Sequence, residues 1–207
     1  MRLLKSIVLF VSPLMAVAVE AGGDPEDIQQ LRDLLAPISS LSAQFEQRII
    51  DVNGLELQRS SGQLQVAKPN SLRWIVEQPM PQQVISDGTS LWLYDPDLEQ
   101  VLVQPFEANI QSAPAMLFAG NLQALDSAYF VEQLSGRTFL LTPEQGGSLF
   151  SSVQIDFDQL LPASIALTDN LGQVTHISFT ELDYNPALGA DLFIFEIPPG
   201  IDIIRND

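Results

Sequence analysis

Alternation of apolar and polar residues with a period of two recurs along most of this chain and constrains its fold more than any other feature. In one such segment Leu64 and Val66 alternate with glutamines, as in a strand with one buried face. In the next, Leu72, Trp74 and Val76 share a face. The alternation predicts about ten to eleven strands in an antiparallel meander, with the clearest at 62–66, 72–76, 84–86, 91–94, 101–103, 139–141, 151–157, 164–167, 174–179 and 192–197.

Two regions show helical spacing instead. Asp24 and Pro25 suit a helix start, and apolar residues then recur at three and four positions until Pro37 interrupts them. The spacing resumes through Ile38, Leu41 and Phe45, which predicts two short helices or one kinked helix before strands begin near residue 46. Residues 108–134 lack alternation and predict a central insertion of short helices. A sheet curved around a helical plug follows from this pattern.

The first residues have the order of a secretory signal peptide. Arg2 and Lys5 precede an apolar run that ends in small residues, and this run is too short for a membrane-spanning helix. We place cleavage after Ala21, with Ala18 as the second choice, so that residues 1–21 are the signal peptide and 22–207 a single domain. Loss of the leader changes the net charge from −17 to −18.

Composition excludes several classes of protein. The strong negative charge opposes binding to nucleic acid. The chain has no cysteine and one histidine, His176, so a zinc site is not expected, and we predict no metal and no cofactor. Residues 95–99 resemble the start of a calcium loop, but a hairpin turn explains them better. No catalytic motif appears, and an enzyme is not indicated.

The apolar content is high for an exported protein with so few charges, at 46% hydrophobic against 17% charged residues. Residues 91–94 and 193–195 carry large apolar side chains on both strand faces. Two interpretations stay open at this point. Other segments cover both faces, or the sheet encloses an apolar cavity.

Several segments resemble the LolA family of periplasmic outer-membrane lipoprotein carriers, in the order found in that family. The resemblance extends over essentially the whole chain after the leader. The segments that carry it are Gly62-Gln63-Leu64, Lys68-Pro69-Asn70-Ser71-Leu72-Arg73-Trp74, residues 86–100, Pro114-Ala115-Met116-Leu117-Phe118 and residues 193–200.

The resemblance implies a mainly β fold with some α, namely a half-open antiparallel β-barrel closed by a lid of short helices. It implies a monomeric periplasmic chaperone that accepts acylated lipoproteins from an inner-membrane ABC transporter, shields their acyl chains and passes them to an outer-membrane acceptor. In the family that acceptor is itself a lipoprotein anchored through an N-terminal cysteine. A chain without cysteine is therefore expected to be the carrier.

Two other functions compete with this one. A periplasmic sensor of stray lipid or envelope stress has a similar fold, but such regulators carry an additional domain. A lipid-modifying enzyme would need a nucleophile or an acid–base pair, and none was found.

The resemblance also selects candidate site residues. Leu72 and Trp74, with Met116, Leu117 and Phe118 from the insertion, are expected to line the lipid-binding cavity. The family has an arginine before the motif's proline that holds the lid shut, and Lys68 takes its place here. We expect the Lys68 ammonium to latch the lid by bonding backbone carbonyls around Met116 to Ala119.

Overall fold

A computed structural model describes residues 24–106, 116–120, 122, 125–144 and 148–205. The leader assignment lies outside these residues, and the single-domain assignment stays a prediction. The described helices are α1 (Pro25–Leu35), α2 (Met116–Ala119) and α3 (Leu125–Ala128), with a 3-10 turn at Ala190–Phe193. None of these helices has the length and hydrophobicity needed to span a membrane. The strands are β1 (Ser40–Ile50), β2 (Glu56–Ala67), β3 (Ser71–Gln78), β4 (Gln82–Asp87), β5 (Ser90–Asp95), β6 (Gln100–Pro105), β7 (Tyr129–Ser135), β8 (Thr138–Pro143), β9 (Phe150–Asp158), β10 (Leu161–Asp169), β11 (Val174–Tyr184) and β12 (Asp202–Arg205).

In the described part of the chain all twelve strands belong to one sheet. Their order is β12-β6-β5-β4-β3-β2-β1-β11-β10-β9-β8-β7, so β12 and β7 are free edges and the sheet does not close on itself. Neighbouring strands are antiparallel except β12, which runs parallel to β6. This confirms the predicted mainly β, half-open fold, with twelve strands rather than ten to eleven.

Helix α1 begins where the sequence predicts it. The Asp24 carboxylate accepts a 2.9 Å hydrogen bond from the Glu26 N–H, and Pro25 occupies the first turn. The predicted continuation of the helix beyond Pro37 is wrong, because β1 starts at Ser40. Leu41, Ala43 and Phe45 are buried on one face of that strand and lie two residues apart. Pairing with β2 on one side and β11 on the other overrides the helical spacing.

Three further assignments differ from prediction. Residues 129–134, placed in the helical insertion, belong to β7, which pairs with β8. Residues 192–197 are not a strand, because Phe193 ends a 3-10 turn and Phe195 packs across other strands rather than beside one. The unpredicted β12 follows the turn at Pro198–Pro199–Gly200 and adds four residues to the edge of β6. A strand of four residues is too short to show the alternation of apolar and polar residues in the sequence.

The core lies between one face of the sheet and the helices. We call this the inner face; it carries Phe45, Leu64, Leu72 and Trp74, and α1, α2 and α3 form a lid over it. In the second half of the sheet the same core includes Val131, Phe139, Leu141, Phe150, Val153, Ile155, Phe157, Ile165 and Ile177.

The opposite, outer face explains the strands that are apolar on both sides. Trp92 and Tyr94 project from β5 away from Leu91 and Leu93. Phe195 covers them from the C-terminal segment, residues 190–198, with ring centroids 6.4 Å and 5.4 Å away. On β9 the outer face is polar instead, where the Asp156 carboxylate accepts hydrogen bonds from Thr138 and Ser164, both 2.8 Å long. Of the two interpretations of residues 91–94, cover by another segment therefore holds for the outer face.

At Gly62 the backbone of β3 lies close to β2, beside a shift in register. A Cβ atom there would overlap the Ile75 carbonyl oxygen and lie 2.8 Å from its carbonyl carbon. Because both atoms are backbone, neither can rotate away. We expect Gly62→Ala to reduce the free energy of unfolding by about 1–3 kcal/mol or more, measured by chemical denaturation. Ser61→Ala, one residue away, should change it by less than about 0.5 kcal/mol. Equal stability of the two variants would contradict this close approach.

Candidate functional site

The inner face of β3 holds the first two predicted cavity residues. Leu72 is fully buried and Trp74 is 8% exposed, while Arg73 between them points to the outer face. The Trp74 ring stacks on Phe45 of β1 with centroids 3.9 Å apart and an interplanar angle of 27°. The two rings meet across β2, which lies between their strands in the sheet, and present one continuous aromatic surface to the lid.

Helix α2 brings the next predicted residues onto this surface. Leu117 and Phe118 are buried in the same core cluster as Leu72 and Trp74. The Phe118 ring makes an edge-to-face contact with Phe179 of β11, with centroids 5.8 Å apart. Met116 begins α2, but its side chain is outside the described part of the structure. Four of the five predicted residues thus meet in one apolar cluster.

The described side chains of α1 and α2 pack directly against the inner face, so this structure represents a closed form. Leu31 and Leu35 of α1 have no solvent exposure, and Leu117 and Phe118 have 3% and 1%. An apolar ligand that binds at these described positions of the inner face has to displace these side chains. When a ligand displaces the lid side chains, one apolar contact with the sheet replaces another. The free-energy cost of this displacement is therefore mainly that of moving the helices.

Lys68 does contact the lid, but not at the expected helix. Its ammonium donates a 2.8 Å hydrogen bond to the Leu35 carbonyl and a 3.4 Å bond to the Ala36 carbonyl, both at the end of α1. The expected contact with carbonyls around Met116 to Ala119 is therefore wrong. The last carbonyls of a helix have no partner within it and attract a cation. Partial burial lowers the pKa of the ammonium.

Asn70, two residues after Lys68, makes the contact with α2. The backbone N–H of Asn70 donates a 3.0 Å hydrogen bond to the Ala119 carbonyl, which ends α2. The turn between β2 and β3 therefore contacts both helix ends, α1 through the Lys68 side chain and α2 through the Asn70 backbone. We call residues 68–70 the latch turn.

Two further bonds connect the lid. The Asp27 carboxylate of α1 accepts a 2.9 Å hydrogen bond from the Gln133 N–H of β7. Arg32 of α1 donates a 3.3 Å bond to the Leu122 carbonyl, which lies between α2 and α3. These residues were not predicted, because each side chain pairs with a backbone group, the Gln133 N–H or the Leu122 carbonyl, and backbone groups leave no sequence signal. The apolar stripe of α1 did indicate a buried face, but not the surface that it covers.

The inner face stays apolar beyond β3. Val84, Leu93 and Leu102 lie in register with Trp74 across β4, β5 and β6 and are half-buried. Ile204 of β12 continues the row and is 42% exposed. This row extends the apolar surface from the centre of the lid to one edge of the sheet.

The polar groups of the described ranges do not form a metal site, since no three His, Asp or Glu side chains cluster there. The calcium-like segment is a hairpin turn between β5 and β6. The Asp95 carboxylate accepts hydrogen bonds from the N–H groups of Asp97 and Leu98. His176 lies in β11 beside Ser178.

Comparison with known proteins assigns the family. The sequence model of the family described as outer membrane lipoprotein carrier protein LolA matches residues 36–196. The chain belongs to the LolA family. This LolA family member is 38% identical over 201 residues to the outer-membrane lipoprotein carrier protein of Chromohalobacter salexigens, and the alignment covers 96% of each chain. It is 34% identical to that of Pseudomonas aeruginosa over the full length of both chains.

Solved structures agree on the fold of this LolA family member. A LolA superfamily protein from Nitrosomonas europaea superposes with a TM-score of 0.52 at 14% identity, covering 82% of this chain and 98% of that one. An uncharacterised conserved protein from Thermus thermophilus superposes with a TM-score of 0.51 at 12% identity, covering 87% and 98%. At such low identity these likenesses concern the fold alone.

Proposed function

We propose that this LolA family member is a periplasmic lipoprotein chaperone that holds acyl chains between the inner face of its sheet and the lid. The observation that carries the proposal is the apolar cluster shared by Leu72, Trp74, Leu117 and Phe118, which joins the sheet to short helices. The family's carriers are chaperones rather than enzymes, and relatives that align over nearly their whole length carry the carrier name.

The cargo explains why such a site is needed. Burial of an acyl chain is favourable by about 0.8 kcal/mol per methylene, so a chain of about 15 methylenes costs roughly 12 kcal/mol to expose to water. A triacylated protein therefore cannot diffuse freely across the periplasm. A carrier must cover the chains and still release them.

The closed form supplies a means of release. In the empty carrier, Leu117, Phe118 and the α1 leucines occupy the inner face. Acyl chains displace them during loading, and they return during unloading. Because the lid side chains compete for the same surface, the net affinity for acyl chains is lower than the full transfer free energy.

The partners follow from the same proposal. An inner-membrane ABC transporter supplies the lipoprotein and the energy for loading, and an outer-membrane acceptor receives it. The carrier itself needs no cofactor and works as a monomer. Its net charge of −17 keeps it off anionic lipid surfaces, so cargo passes through protein contacts.

Depletion of the protein tests this function. We expect acylated lipoproteins destined for the outer membrane to accumulate in the inner-membrane fraction, with their acyl groups chemically unchanged by mass spectrometry. A normal distribution with altered stress signalling alone would identify a sensor. A change in lipid structure would identify an enzyme.

A further inference from the structure

A second pocket lies on the outer face, away from the lid. The C-terminal segment crosses β3, β4 and β5 there and borders an open cavity of about 430 Å³. This is within the usual range of small-molecule sites. Its floor is the buried side chain of Ile85, and Tyr94 and Phe195 form an aromatic wall with ring centroids 5.4 Å apart.

Charges of both signs line this pocket. Arg73 enters from β3, while Asp191 and Glu196 enter from the C-terminal segment. Within the described part of the chain, the Arg73 guanidinium makes neither a hydrogen bond nor an ion pair, although two carboxylates line the same cavity. The pocket thus keeps a cation and two anions apart.

We propose that this pocket binds a small zwitterion that joins an oxyanion to an ammonium group. The planar guanidinium of Arg73 binds the oxyanion through paired hydrogen bonds. Asp191 and Glu196 bind the ammonium, which also lies against the aromatic wall. The short apolar part of the ligand covers Ile85.

The overall charge selects a zwitterion over a simple anion. A protein with a net charge of −17 repels a free phosphate or carboxylate, and the carboxylates of the pocket add to that repulsion. A molecule of zero net charge avoids the long-range repulsion, while each of its charged groups finds its counterpart in the pocket. The glycerophosphoethanolamine group has this chemistry, either as a phospholipid headgroup or as a free diester.

This inference does not depend on the proposed function, because none of the residues that line the pocket belongs to the apolar cluster described between the inner face and the lid. Binding here and acyl-chain binding can therefore succeed or fail separately.

Titration of the full chain with glycerophosphoethanolamine, followed by amide chemical shifts, tests the site. We expect a dissociation constant on the order of 1 mM, with shifts centred on β3–β5 and the C-terminal segment. Glycerol phosphate and ethanolamine, which carry one charged half each, should bind at least about tenfold more weakly. Vesicles of phosphatidylethanolamine separate the two sources: binding to both probes indicates a headgroup, and binding to the soluble probe alone indicates a free diester.

Variants make the test specific. Arg73→Gln should weaken binding at least about tenfold, since a charged donor is lost, and Glu196→Gln should weaken it less because Asp191 remains. Arg59→Gln, on a distant part of the outer face, should bind like the parent. The proposal is overturned if the zwitterion does not bind, if glycerol phosphate binds as tightly, or if Arg73→Gln binds unchanged while its spectrum shows a folded protein.

Discussion

Fixing the lid to the sheet should abolish loading of lipoprotein. The Asn70 N–H and the Ala119 carbonyl are 3.0 Å apart, which brings the two Cα atoms close to the roughly 4.4–6.8 Å that disulfides span. The chain has no cysteine of its own, so the double variant Asn70→Cys, Ala119→Cys can form only one disulfide within the chain. The oxidised variant should capture no acylated lipoprotein from detergent, because α2 cannot leave the inner face. After reduction it should load like the parent.

The two single-cysteine variants are the controls for this disulfide. Each single cysteine variant should load normally under oxidising conditions, which excludes damage from either substitution alone. Mass spectrometry establishes the fraction of closed disulfide in each sample. Full loading by the closed form would show that acyl chains bind without opening the lid at α2.

Loss of the Lys68 ammonium should shift the lid toward its open form and stop delivery of cargo. A hydrogen bond from a charged donor contributes about 1.5–3 kcal/mol, or one to two decades in the ratio of closed to open forms. Lys68→Leu leaves the carbonyls of Leu35 and Ala36 without that donor. It should still take up lipoprotein, but should release it poorly, because closure no longer helps expel the chains.

Transfer of bound lipoprotein to the outer-membrane acceptor measures this effect. Lys68→Arg keeps the charge and donates from a planar fork, so it should transfer cargo like the parent. Arg59→Leu removes a cation from the outer face, where it pairs with Glu46 and Glu56, and should have no effect on transfer. Equal transfer by Lys68→Leu and the parent would show that Lys68 is a surface residue with no part in closing the lid.

Lys68 can also be observed directly. It is the only lysine after Lys5, so an amine-specific acylating reagent reports on this side chain and on the chain terminus alone. We expect acylation of Lys68 to be slow in the empty carrier, where its amine is engaged, and faster once cargo opens the lid. An unchanged rate on loading would indicate that the latch turn stays in contact with α1.

The sequence predicted the elements whose pattern arises from burial on one side. Leu64, Leu72 and Trp74 alternate because one face of their strands meets the lid, and the Asp24 cap is encoded locally. The first half of β1 was missed because Ile38, Leu41 and Phe45 fit a helical spacing, and only pairing with β2 and β11 decides between helix and strand.

The sequence predicted that the apolar candidates lie together, but it did not predict the polar contacts that hold the lid. Leu117 and Phe118 belong to a motif and are found in the expected cluster. The partner of Lys68 was assigned to the wrong helix, since both α1 and α2 end beside the latch turn and both present free carbonyls. The packing of the helices decides which carbonyl a long side chain reaches, and the spacing of residues in the sequence does not show that packing.

The two tryptophans test the central claim most directly, because they lie on opposite faces of the sheet. Trp74 faces the lid, and Trp92 lies under Phe195 on the outer face. Lipoprotein carrying bromine in its acyl chains quenches only nearby indoles. In Trp92→Phe, where Trp74 alone emits, stoichiometric cargo should quench the fluorescence strongly. In Trp74→Phe, the emission of Trp92 should stay unchanged. Unquenched Trp74 with quenched Trp92 would contradict the assignment and place the acyl chains on the outer face.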